Sequence, residues 1–235
     1  MKDRTLLILT ALIEDFVETA LPVASKKLLA SKHFDVSSAT IRNEFAILEE
    51  VGLIESPHVS SGKIPTEKGY RFFVDELMED DQQNKLVQNI FSQHVQNYRF
   101  QRTKESVLDT IRILSSLSGN AAFAVINDDR TFYLGLSNVL RSPEFLHAPE
   151  KAAQVIEILE GQKRFSALLN SLNLPENQVK IFIGEENLLE EINSCAMLVT
   201  KFETPDASGY LGIIGPTRMN YGFNKALIRN VLEML

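Results

Sequence analysis

The run Ser37-Ser38-Ala39-Thr40-Ile41-Arg42-Asn43 gathers side chains suited to reading a nucleic acid. Asn can hold adenine through two hydrogen bonds, and Arg can hold guanine in the same way. Serines at a helix N-terminus suit phosphate oxygens, because the unpaired N–H groups and the helix dipole favour negative charge there. Small residues such as Ala39 let a backbone approach base edges. Ser37, Ser38, Thr40, Arg42 and Asn43 are therefore candidate DNA contacts. Lys26 and Lys27, on the preceding segment, suit backbone phosphates. His58, Ser60, Ser61 and Lys63 fall in the loop HVSSGK, where they would meet phosphates or the minor groove.

The elements that must position these side chains follow from apolar spacing. Leu6, Leu9, Ile13, Phe16 and Val17 predict a first helix from about Arg4 to Glu18, ended by Leu21-Pro22. Ser25 caps a short second helix. Ser37 or Ser38 caps a third, SATIRNEFAILEE, and Gly52 stops it. Ile41, Phe45, Leu48 and Val51 step along its apolar face, leaving Ala39, Asn43 and Ala46 opposite, with Arg42 at the edge. A strand at Leu53–Glu55, a polar tip, a return at Ile64-Pro65 and a Thr66-capped helix complete residues 1–78. This order is that of a winged helix-turn-helix.

Residues 79–106 predict a helical linker, polar and only weakly amphipathic. From there to residue 235 strands and helices mix. AAFAVI, TFYLGLSNV, VKIFIG, AMLVTKFE and GYLGIIGP read as strands; PEKAAQVIEILEGQKRFSALLNSL reads as one long or broken helix, and NLLEEINSC and the C-terminal NYGFNKALIRNVLEML read as helices. The expected fold class is α+β, and the order of elements over 107–235 is compatible with a GAF/PAS-like sensor fold.

Charge is a counter-argument to DNA binding. The 235 residues carry 24 Lys and Arg against 31 Asp and Glu, a net of −7. Residues 1–75 hold 9 basic and 11 acidic side chains, a net of −2. Such a domain binds phosphates weakly by itself, so specific binding would lean on dimerisation. The sequence shows no signal peptide and no apolar run of bilayer length, which predicts a cytoplasmic protein with no membrane partner.

Nothing in the sequence predicts an enzyme, a cofactor or a metal. His33, His58, His94 and His147 lack ligand spacing. The single Cys195 reads as a buried, inert thiol. GIIGPTR lacks the Gly-Lys-Ser/Thr ending of a phosphate-binding loop. Phe123, Phe132, Tyr133, Phe182 and Phe202 read as sheet core.

The segment SSATIRNEFAILEEVGLIESPHVSSGKIPTEKGYRFFVDELM resembles the N-terminal signature of HrcA, the bacterial heat-inducible transcription repressor family. SNVLRSPEF, IFIGEEN and IGPTRMNY resemble motifs of the family's second domain, in preserved order. The resemblance implies a homodimeric repressor that binds an inverted-repeat operator upstream of chaperone operons. It also implies a winged-helix domain followed by a GAF-like regulatory and dimerisation domain over 107–235, and activity that depends on the GroEL chaperonin. The DNA-reading residues would fall in Ser38 to Asn43 and the wing at His58 to Lys63. One departure stands out: AAFAVINDD runs almost directly into RTFYLGLSNV, so the family's inserted dimerising segment is missing around Asn127 to Arg130. The dimer surface would then come from Leu86, Ile90 and Phe91 or, preferably, from Leu227, Val231 and Leu232 on the terminal helix. Two rival readings are a ligand-sensing winged-helix regulator, whose GAF-like domain holds a small effector, and a winged-helix protein-interaction module.

Overall fold

A computed structural model describes residues 1–235 except 33, 35, 59, 60, 96–103, 128, 129 and 206. The chain is a mixed α and β protein of two units, Met1–Met78 and Glu79–Leu235.

In the first unit, helix α1 (Asp3–Thr19) buries Ile8, Leu9, Leu12 and Ile13. Helices α2 (Ser25–Lys32) and α3 (Ser38–Glu50) follow. Strands β1 (Ile54–Glu55) and β2 (Ile64–Pro65) pair antiparallel, Ile54 opposite Pro65 and Glu55 opposite Ile64. Helix α4 (Glu67–Phe72) closes the unit and passes into a π-helical turn at Phe73–Leu77. The Thr66 hydroxyl caps α4 by accepting from Gly69 N–H at 3.0 Å, and donates to Gly52 C=O at 2.7 Å. Gly69 sits where any Cβ would strike Leu53 C=O, so the helix start is pressed onto the hairpin.

Two buried carboxylates staple these helices. Glu44, on the inward face of α3, accepts from Thr5 Oγ1 at 2.7 Å and from Arg4 Nε at 2.8 Å. Asp15, on α1, pairs with Lys27 Nζ at 2.7 Å. Ile41, Phe45 and Leu48 are buried as their spacing predicts. Val51 is not: it is the C-terminal cap of α3 and is 41% exposed.

The second unit is built on a five-stranded antiparallel sheet of order β4-β3-β7-β6-β5. Its strands are β3 (Ala121–Ile126), β4 (Arg130–Leu134), β5 (Lys180–Ile183), β6 (Cys195–Glu203) and β7 (Ser208–Pro216). Strand alternation sends Phe123, Val125, Met197, Val199 and Ile214 to one face. There they meet helices α7 (Leu136–Arg141), α8 (Pro143–Leu146), α9 (Pro149–Glu160) and α10 (Gln162–Ser171) through Val139, Phe145, Val155 and Phe165. The Phe123 and Phe165 rings meet edge to face with centroids 4.8 Å apart. Gly212 lies opposite Phe123, and a Cβ there would stand 2.6 Å from the Phe123 ring. On the other face pack α6 (Lys104–Ser118) and α11 (Tyr221–Leu232), which bury Ile111, Leu114, Leu227 and Ile228.

Helix α5 (Asp80–Val95), expected to be part of a linker, packs along α11. Asp80 opens it and accepts from both Lys225 Nζ and Arg229 Nη1, each at 2.9 Å. Burial pushes the Asp80 carboxyl up, but these two donors hold it below its ordinary range.

Two elements differ from the sequence reading. TFYLGLSNV is a strand only to Leu134, because Gly135 turns the backbone to φ 82 and starts α7. NLLEEINSC holds only a single 3₁₀ turn, Glu190–Ile192. The helical stretch over 149–172, long or broken by its sequence, is broken, at Gly161. Of the expected sheet-core aromatics, Phe123 and Phe202 are fully buried, whereas Phe132, Tyr133 and Phe182 are half-buried. The preferred dimer surface also fails: Leu227 and Val231 are wholly buried within the protomer, and Leu232 is half-buried. Of the alternative set, Leu86 is exposed, and Ile90 and Phe91 are half-buried.

Candidate nucleic-acid interface

Helix α3 presents the face its sequence promised. Ile41, Glu44, Phe45 and Leu48 turn inward, while Ala39, Arg42, Asn43 and Ala46 are exposed. Arg42 makes no ion pair among the described residues, so its guanidinium is available to a ligand. Ser37 is the N-cap: its Oγ accepts from Thr40 N–H at 3.1 Å and lies 3.0 Å from Thr40 Oγ1. The Ser37 and Thr40 hydroxyls are thus engaged with one another, and Ser38 occupies the first helical position. No acidic residue stands in the first turn to oppose an anion.

Lys26 is exposed on α2. Lys27 is exposed too, but its ammonium is committed to Asp15. At the hairpin, Ser61 Oγ donates to His58 C=O at 2.7 Å and accepts from His58 N–H at 3.0 Å, tying these two residues together. Ser60 lies outside the described residues. Lys63, expected at a phosphate, is held by the protein itself. Its Nζ donates to Glu49 Oε2 at 2.5 Å and to Ser56 Oγ at 2.7 Å. Its N–H and C=O pair with Val23 in an isolated bridge, at 2.9 and 2.8 Å. The Lys63 ammonium holds the Glu49 carboxyl below its usual range.

The sequence reading overlooked Glu44, Glu49 and Asp15. Glu44 carried a signal, since it lies on the apolar face, four residues before Leu48, where a carboxylate requires partners. Glu49 carried none, because its partner stands 14 residues away.

Among the described residues no cluster of His, Cys, Asp or Glu can hold a metal ion. No described helix is long and apolar enough to cross a membrane. Cys195 is buried, and that burial pushes its thiol up to about 12.

Residues 66–223 match the family described as HrcA protein C terminal domain. The chain belongs to the HrcA family. It is 27% identical to the heat-inducible transcription repressor HrcA of Ruminiclostridium cellulolyticum, covering 94% of this chain and 92% of that protein. It is 27% identical to the protein of the same description from Bacillus pumilus, covering 100% and 97%. These alignments run over 325 and 338 positions, so both HrcA relatives carry residues that this chain of 235 lacks. A crystal structure of a hypothetical protein at 2.2 Å resolution shares the fold, with a TM-score of 0.77 over 99% of this chain and 97% of that one, at 18% identity.

The HrcA-like motifs of the second unit are structural clamps. In IGPTRMNY, Arg218 forks onto Glu144 of SNVLRSPEF, and Asn220 caps α11 by accepting from Phe223 N–H at 3.0 Å. The Tyr221 hydroxyl donates to Thr217 C=O. In IFIGEEN, Glu186 accepts from Ile183 N–H at 2.9 Å. Asn187 sends its amide to the carbonyls of Gly184, Ile192 and Cys195. These side chains close backbone turns that would otherwise leave buried groups unpaired.

Proposed function

We propose that the chain is a transcriptional repressor of heat-shock chaperone operons that binds an inverted-repeat operator as a homodimer. The first unit acts as a winged helix-turn-helix domain, with α2 and α3 as the helix pair and the β1–β2 hairpin as the wing. The single observation that carries this reading is the outer face of α3, where exposed Arg42 and Asn43 stand among the small residues Ala39 and Ala46. Such a face can enter a major groove, and its two polar side chains match guanine and adenine edges. The family relatives described as heat-inducible transcription repressors supply the biological class.

Phosphate contacts come from Ser37, Ser38, Thr40 and Lys26, with His58 and Ser61 at the wing. Lys27 and Lys63 are spent on Asp15 and Glu49, which lowers the electrostatic contribution of one protomer further. Two protomers related by a two-fold axis then supply the affinity that one lacks. The second unit is a GAF-like regulatory and dimerisation domain, and its antiparallel order supports that reading. Strands β3 and β4 join there by a short hairpin, where longer relatives would carry their extra segment. In this reading the second unit takes its signal from the GroEL chaperonin, as the family resemblance implies, and a unit that holds a small effector is the alternative.

Footprinting on the region upstream of the organism's own chaperone operons, with and without chaperonin, tests the proposal. Protection of both halves of an inverted repeat, strengthened by chaperonin, is the expected result. An unprotected upstream region would overturn it.

A further inference from the structure

Lys63 stands where three chain segments cross. Its backbone bridges Val23, in the stretch that leads into α2. Its side chain reaches Glu49 in the last turn of α3 and Ser56 just beyond β1. The Lys63 side chain is only 19% exposed, although it follows directly on the loop tip. Gly62, beside it, leaves no room for a Cβ, which would stand 2.6–2.7 Å from Pro22 and Val23 backbone atoms. The hairpin is short, with two residues in each strand, so its own ladder cannot fix its direction.

The geometry points to Glu49, Ser56 and Lys63 as a positioning network that sets the wing against α3, with Lys63 acting through the wing and not as a phosphate contact. The inference rests on reading the hairpin as a DNA-contacting wing. Its physical content is a sign. A lysine that meets phosphate is weakened by a neighbouring carboxylate, so removing Glu49 would strengthen DNA binding. A lysine that positions the wing needs that carboxylate, so removing Glu49 would misplace the wing and weaken binding.

The experiment uses the full chain and two duplexes of equal length: the inverted repeat from upstream of the chaperone operons, and a scrambled version. Affinity is measured across a salt series for wild type, Glu49→Gln, Lys63→Ala and the exchanged pair Glu49→Lys with Lys63→Glu. Both single variants should lose operator affinity several-fold and discriminate less between the duplexes, with the salt slope unchanged. The exchanged pair, which restores the ion pair at equal net charge, should recover most of the discrimination. Thermal unfolding of each variant identifies any that fails to fold, and the Ser56→Ala variant then serves as a milder break of the same network.

Tighter binding by Glu49→Gln to both duplexes would overturn the inference. So would a Lys63→Ala variant that keeps its discrimination but loses about 0.9 from the salt slope, which is the mark of one phosphate contact. A wild-type chain that fails to prefer the operator overturns the repressor reading itself, and the network with it. A wild type that discriminates, alongside single variants that match it, overturns the network alone.

Discussion

Arg218, in the turn before α11, grips Glu144 at the start of α8 with two nitrogens, Nε to Oε1 at 2.5 Å and Nη2 to Oε2 at 3.4 Å. The residues are 74 apart in sequence, and both lie within the stretch that matches the HrcA family. The Arg218 side chain is 15% exposed, so solvent screens the pair only in part. The pair thus acts as scaffold, tying the start of α8 to the turn before α11.

Replacing Arg218 by Ala should cost about 1–2 kcal/mol of stability, from the charged hydrogen bonds lost and a carboxylate left behind. Urea unfolding of Arg218→Ala against wild type measures it. An unchanged midpoint would mean the pair is no more than a solvated surface contact.

Glu44 predicts acid sensitivity. The hydrogen bond from Thr5 lowers its carboxyl most; burial pushes it back up, and the hydrogen bond and charge of Arg4 then hold it below the ordinary range. A lowered folded pKa adds stability that is fully present above the unfolded value, near about 4.3, and is lost as pH falls through the folded value. The stability lead of wild type over Glu44→Gln should therefore shrink between about pH 6 and about pH 3. Thermal melts across that range test it, and a lead that stays constant with pH would contradict it.

Cys195 should be silent. A thiol pushed up to about 12 and buried in the core at the start of β6 offers no thiolate at neutral pH. Iodoacetamide should leave the native chain unmodified and label it fully in denaturant. Rapid labelling of the folded protein would show that the second unit opens far more readily than its packing implies.

Helix α3 was legible because its signals are local and agree. Ser37 caps it, Ile41, Phe45 and Leu48 step along one face, and Gly52 sits at φ 74 beyond its end. The same rules located the strands of the sheet; the inner strands β3, β6 and β7 bury both faces and read as apolar runs. What escaped was long-range. Lys63 reads as a free loop cation until Glu49 is brought beside it. Leu227 and Val231 carry one spacing for core and for interface alike, and only the packing of α11 on sheet and α5 decides between them. Gly135 breaks an element whose apolar pattern continues past it, so the pattern alone overran the strand.

The outer face of α3 is the centre of the functional account, and one titration addresses it directly. Wild type, Arg42→Ala and Asn43→Ala are each titrated onto the inverted-repeat duplex and its scrambled counterpart at one fixed salt concentration. Both side chains are exposed, so circular dichroism and melting should be unchanged. Each substitution should cost about 1–3 kcal/mol of operator binding while leaving the weak scrambled-duplex binding nearly as it was. Variants that bind the operator as tightly as wild type would contradict the account.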